Sequence, residues 1–257
     1  MDLIIQGFAW IFTPAHWTTT VFGTGILDAL TQHLILTGAS LFFTILIATP
    51  IGFYIGHTGR GRGVAIILSN VARALPTLGL LSVLILFIPD VTGIPSNYIP
   101  NIVVFVLLGI PALLAGAYAG IESVDRQTID AARAVGMTEW QILQKVEIPL
   151  GAALIVGGLR ATSLQLVSTV TISSLLGQVS LGSFISNGVA TNDYPQMMAG
   201  AILVAALALI IDGLLAVVQR FVVPRGVSRG ANDRRNTTAR GRKAAAATQG
   251  TPITEGI

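Results

Sequence analysis

Apolar residues run along this chain in long blocks separated by short polar segments. Five blocks, at about 34–56, 64–88, 101–119, 152–176 and 198–222, approach or exceed the roughly 20 helical residues needed to cross the hydrocarbon core of a bilayer. The pattern predicts an all-α membrane protein with about five spanning helices. A sixth apolar run, Leu3 to Phe12, is too short to span, and Trp10 and Trp17 on either side of Pro14 suit a segment lying at the headgroups. Without a preceding Lys or Arg that run also makes a poor signal peptide. Inside the blocks, Pro50, Pro76 and Pro111 would kink or open the helices, and Gly52 with Gly56, or Gly116 with Gly120, has the small-xxx-small spacing of closely packed membrane helices.

Composition agrees with the blocks: 53% of residues are apolar, only 11% are charged, and the mean hydropathy is +0.76, far from a soluble domain. There is no cysteine, which excludes disulfides and thiolate metal sites, and His16, His33 and His57 are too scattered to suggest a metal. No metal and no cofactor is expected. The net charge of +3 comes from the last thirty-odd residues and is no nucleic-acid signature. Segments 1–33, 90–100 and 177–197 hold no Lys or Arg, whereas the Gly59–Gly63 turn, residues 120–151 and the tail hold nearly all fifteen. The positive-inside rule then predicts the N-terminus outside, the C-terminus in the cytoplasm and the 120–151 insert facing the cytoplasm. Residues 223–257 read as a disordered basic tail. It is either a solvated tail that satisfies topology or an attachment to anionic lipid at about 1 kcal/mol per charge.

The insert is the one charged, helix-patterned stretch between apolar blocks. From Glu122 to Pro149 it holds eight charges. Gly136 divides it into two short helices joined at a glycine C-cap, with Thr138 and Gln141 at capping-box spacing and Pro149 ending the second run. Elsewhere, three ionisable residues, Arg73, Arg160 and Asp212, fall within blocks at similar depth. At that depth they could meet; the readings are a salt bridge, arginines snorkelling to the interface, or a role along a substrate path. The fourth block carries Gln165, Ser168 and Thr169 on one helical face, which either lines a passage for a small hydrophilic solute or makes interhelical hydrogen bonds. No GxxxxGK[ST] phosphate loop, HExxH or GxSxG sequence occurs, so the chain reads as neither a P-loop ATPase nor an enzyme of another kind.

Asp130-Ala131-Ala132, three residues, Gly136, nine residues and Val146-Glu147-Ile148-Pro149 resemble the cytoplasmic EAA motif of ABC importer permeases, with Asp in place of Glu and two aliphatic exchanges. The 72–81 stretch ARALPTLGLL, Leu181-Gly182-Ser183 and the 199–212 stretch AGAILVAALALIID look like the permeases of osmoprotectant importers, which carry glycine betaine, choline, carnitine or related quaternary amines. The resemblance covers most of residues 34–222. It implies a type I ABC importer transmembrane subunit in a bacterial plasma membrane, with a permease domain at 34–222, an extracytoplasmic or interfacial segment at 1–33 and the cytoplasmic tail.

By that resemblance the insert docks on a separate ATPase subunit, two copies per transporter, offering Ala132, Trp140, Ile142 and Leu143 as contacts. It also implies a second permease copy or a similar permease as partner. A separate extracytoplasmic solute-binding protein would deliver substrate around 90–100 and 177–197. An importer of another small solute, such as an amino acid, and an ATP-independent channel or carrier are the competing readings.

Overall fold

The computed structural model describes residues 2–18, 24–88 and 98–223. The tail beyond Val223 and most of the 90–100 segment lie outside the described residues. Two short helices, α1 (Asp2–Ile11) and α2 (Ala15–Thr18), lead into α3 (Ile26–Thr58). After a turn come α4 (Arg62–Ala74) and α5 (Thr77–Phe87), then α6 (Tyr98–Glu122), α7 (Arg126–Ala134) and α8 (Glu139–Ile142). A π-helical turn over Leu143–Glu147 joins α8 to α9 (Ile148–Ser173), and α10 (Gly182–Thr191) and α11 (Tyr194–Val222) are the last helices among the described residues.

Among the described residues, four helical stretches are long and apolar enough to cross a bilayer: α3, α6, the run from Glu139 to Leu176, and α11. The count reaches five only if α4 and α5 form one span, and these are bent by 85° at their junction. The expected unbroken helix over 64–88 is therefore a broken one. The cause is Pro76, which stands at the N-cap of α5 in extended backbone and forces Leu75 out of the helical region. Pro50 and Pro111, by contrast, sit inside continuous helices whose neighbours hold them. The first span begins at Ile26, well before 34, so its 33 residues run about 50 Å and must project beyond a roughly 30 Å core.

The bundle is built around α6. On one side α3 lies against it, with Gly52 over Ala117; on the other, Gly116 of α6 meets Gly158 of α9 backbone to backbone. Leu36, Leu81, Phe105, Leu108, Leu166 and Val170 fill the core between α3, α5, α6 and α9. By contrast α11 buries only Gln196, Ala199, Gly200 and Leu207, and turns Leu209, Ile210, Leu214, Val217 and Phe221 outward. So continuous an exposed apolar face belongs in lipid rather than water. The N-terminal helix is not free: Gly7 seats α1 on Met198 and Ile202 of α11, while Trp10 stacks on His16 at 3.9 Å and the Trp17 indole donates to the Ile11 carbonyl at 2.8 Å.

Candidate functional site

The insert forms a structured turn at the end of α6, and its local order follows from its own sequence. Asp125 caps α7 by accepting from the Gln127 N–H at 3.0 Å. The helix ends at Gly136, whose φ of +86° lies in the left-handed region that a side chain would strain. The Gly136 N–H donates to Arg133 O and the Met137 N–H to Ala132 O, the paired bonds of a Schellman termination. Thr138 and Gln141 then complete a capping box, with the Gln141 N–H on Thr138 Oγ1 and the Thr138 N–H on Gln141 Oε1.

The expected stop at Pro149 is not found. The chain continues from α8 into α9, and the Ile148 N–H reaches back five residues to Leu143 O. Widening the ladder by one residue gives the proline, which has neither a donor nor room behind it, a place in the first turn of α9. The extra residue also rotates the preceding segment by about 100° relative to an unbroken α-helix, and this decides which side chains turn inward.

The buried set includes Ile142 at 0% exposure, Leu143 at 9% and Glu147 at 2%, and Ala132 is buried beside them. Ile142 and Leu143 are therefore core residues of this chain, and the sequence-based reading of them, and of Ala132, as partner contacts is corrected. Of that group only Trp140 is open to a partner, at 65% exposure. Val135, beside the glycine turn, is open at 78%. Asp130, Ala131 and Gly136 are exposed on the same turn, and Val146, Ile148 and Pro149 are partly covered.

Behind this surface the charges form a chain. Arg133 grips Glu139 with two bonds, Nε to Oε1 at 2.8 Å and Nη2 to Oε2 at 3.0 Å, and reaches Asp130 at 3.2 Å. These carboxylates, Glu139 first, hold the Arg133 guanidinium charged well above the ordinary arginine value. Glu139 lies 3.2 Å from Nε2 of His57, and the other ring nitrogen, Nδ1, stands 2.6 Å from Glu147. His57 occupies the last turn of α3, ninety residues from Glu147 in sequence. A second tie pairs Arg62, at the start of α4, with Glu122 at the end of α6, and lays the guanidinium 5.9 Å from the Tyr118 ring centre. Between these ties opens a cleft of about 490 Å³, lined by His57, Arg62, Glu122, Arg126, Arg133 and Glu147 among others. Sequence reasoning passed over His57; its position at the end of an apolar block, opposite a lone glutamate in the motif, was the available signal.

The intramembrane charges meet only in part. Arg160 donates to both Asp212 oxygens at 2.8 Å and to Gln219 Oε1 at 2.9 Å, and Gln219 in turn donates to Ala153 O at 3.1 Å. That network clamps α9 to α11. Arg73 does not join it: the bend at Pro76 leaves it exposed near the end of α4, and no described residue pairs with it. On α9, the Gln165 amide crosses to Leu108 O of α6 at 2.8 Å, and Thr169 Oγ1 bonds to Gln165 O at 2.7 Å. Ser168 is exposed and bonds to its own helix at Leu164 O, as Thr162, Ser163 and Thr171 bond to theirs. Most hydroxyls of this helix are thus satisfied locally, and Gln165 is the interhelical contact.

Residues 48–225 match the family described as binding-protein-dependent transport system inner membrane component. The chain is 31% identical over 196 residues, 76% of its length and 88% of the relative's, to the glycine betaine/carnitine/choline transport system permease protein OpuCB of Bacillus subtilis. It is 34% identical over 198 residues, 76% of its length and 81% of the relative's, to the osmoprotectant import permease protein OsmY of Salmonella typhimurium. Among solved structures, a chain of the inward-facing MetNI methionine ABC transporter aligns with a TM-score of 0.68 at 24% identity, covering 82% of this chain and 99% of that one. That likeness shows the fold, which is that of an ABC importer transmembrane subunit. With the family match spanning the glycine-turn insert and the α6–α9 contact alike, this chain belongs to the inner membrane components of binding-protein-dependent transport systems.

Proposed function

We propose that this permease serves an ABC importer of osmoprotectants: glycine betaine, choline, carnitine or a related quaternary amine. The observation that carries the substrate class is the identity, about 30% over most of the chain, to relatives named for those solutes. ATP hydrolysis takes place on a separate subunit, present in two copies, and the insert is where that subunit acts. In support, Trp140, Val135 and the Asp130–Ala131 face stand exposed around a glycine turn held rigid from behind by the Arg133–Glu139–His57 chain. A second copy or a similar permease completes the transporter, and a separate binding protein delivers the solute from outside.

The permease unit, expected at 34–222, takes in all of α3 from Ile26, the segment before it lies on the outer side, and the basic tail lies in the cytoplasm with the insert. The Lys and Arg distribution supports that orientation. Of the Gln165, Ser168 and Thr169 face of α9, the exposed Ser168 is the side chain that would meet a solute, and Arg160–Asp212 holds the bundle rather than the path. Closure of the ATPase pair would rock the spans between inward- and outward-open states.

The test is uptake of labelled glycine betaine by vesicles carrying the assembled complex, with and without ATP and the binding protein. Uptake requiring both, and lost in Gly136→Val, is expected. A β-branched side chain at φ +86° cannot keep the turn. Uptake without ATP, or an unimpaired Gly136→Val complex, overturns the proposal.

A further inference from the structure

We infer that Pro149 is a positioning residue for the action of the ATPase subunit: it excludes a regular helix ladder at the junction with α9, and so fixes which side of α8 the insert turns outward. This rests on the reading that the ATPase acts on the insert. Pro149 stands in the first turn of α9, directly after the widened turn over Leu143–Glu147. In a regular α-helix its ring would press on the carbonyl of Lys145, four residues back, and no N–H would bond that oxygen. The wide turn, with the Ile148 N–H on Leu143 O, removes that conflict. A proline alone does not widen a ladder, since Pro50 and Pro111 sit inside continuous α-helices. At Pro149 the segment ahead is also held: Ile142 and Leu143 are buried, and His57 Nδ1 donates to the buried Glu147 carboxylate at 2.6 Å.

With the turn wide, each residue ahead of it stands where its successor would stand in a regular helix. Narrowing the ladder would therefore move Leu143 into the place of Ile142, Ile142 into the exposed place of Gln141, and the exposed Gln144 into the buried place of Leu143. Trp140 would take the place of Glu139, and Glu139 would leave the two bonds that Arg133 gives it. At about 100° per residue the change is a step, not a gradation. The face offered to a partner, and the tie between α7 and α8, thus depend on one extra residue that Pro149 keeps outside the regular ladder. Deleting Gln144 takes that residue out of the sequence itself. A regular ladder would then hold Trp140, Ile142 and Leu143 in their present places, but Pro149 disfavours it on the order of a hundredfold, as for any proline inside a regular helix. A turn that stays wide after the deletion puts the Gln141 amide in the buried place of Ile142.

The experiment uses the complete complex in vesicles and reads solute taken up per ATP hydrolysed for the wild type, the Gln144 deletion, Pro149→Ala, and the two changes together. The deletion alone should couple about tenfold less well than wild type, and adding Pro149→Ala should bring it back to within about twofold, because the regular ladder is then open. Pro149→Ala by itself leaves both ladders available and should lower coupling severalfold. A role of Pro149 in stability alone predicts the reverse, a double variant worse than either single change. Ile142→Cys, introduced into a chain without cysteines, reads the register in the same complexes. Its alkylation by a water-soluble maleimide should be slow in wild type and in the double variant, and about tenfold faster in Pro149→Ala. A deletion that couples equally with and without Pro149, a double variant that fails to assemble or couple, or alkylation no faster in Pro149→Ala than in wild type overturns the inference. Absence of ATP-dependent uptake in the wild type would instead overturn the proposed function, and the cysteine would still judge Pro149.

Discussion

A single methyl group at the contact between α6 and α9 should separate the two helices. A Cβ on Gly116 would stand 2.5 Å from Gly158 Cα and 3.0 Å from Gly158 N, and one on Gly158 would stand 2.7 Å from Gly116 Cα. Carbon atoms in contact need about 3.5–4.0 Å, so Gly116→Ala forces α6 and α9 apart by about 1 Å along a backbone-to-backbone crossing. No flexible side chain is available to yield. The expected cost is about 1–3 kcal/mol, the range for inserting a methylene into a filled interior. Gly158→Ala should cost about the same. Because one separation relieves both clashes, the double variant should cost less than the sum, with a coupling on the order of 1 kcal/mol. Gly157→Ala is the internal control, since a Cβ there meets nothing within 4 Å, and it should be neutral or slightly stabilising. Equilibrium unfolding of the purified protein in mixed detergent and SDS micelles measures all four. Equal stability of Gly116→Ala and Gly157→Ala, or strict additivity of the two clashing substitutions, would refute the claim that this contact is filled.

Two further outcomes separate surface from core and pair from bystander. Trp140→Ala should leave unfolding unchanged while weakening binding of the ATPase subunit in a detergent-solubilised titration; Ile142→Ala, two residues away, should cost about 2–5 kcal/mol in the same unfolding assay because its side chain is fully buried. Asp212→Ala strands the Arg160 charge beside Gln219 and should lower stability in the same unfolding assay. Arg160→Asp combined with Asp212→Arg should recover part of that loss, whereas Arg73→Gln should add to it independently, as the two sites share no partner.

The membrane class, the spans and the caps of the insert are properties of single segments, and single segments are what a sequence displays. Twenty apolar residues, a glycine at a helix end and a Thr-x-x-Gln spacing each act within a few residues, so α6, α11, the Gly136 turn and the capping box were legible without a partner in view. Residues 72–81 carried the Pro76 break, but whether a proline bends a helix depends on the neighbours that hold it, as Pro50 and Pro111 show. The burial of Ile142 and Leu143 was not legible, because a one-residue widening of the ladder before Pro149 sets the rotation of the helix on which they ride. Contacts between distant residues were settled only by the tertiary structure: Arg160 found Asp212 and Gln219 while Arg73 was left out, and His57 found two glutamates. Such pairs form where helices far apart in sequence come to share a level and a face, and that arrangement is fixed by the close approach of α3, α6 and α9 rather than by any local pattern.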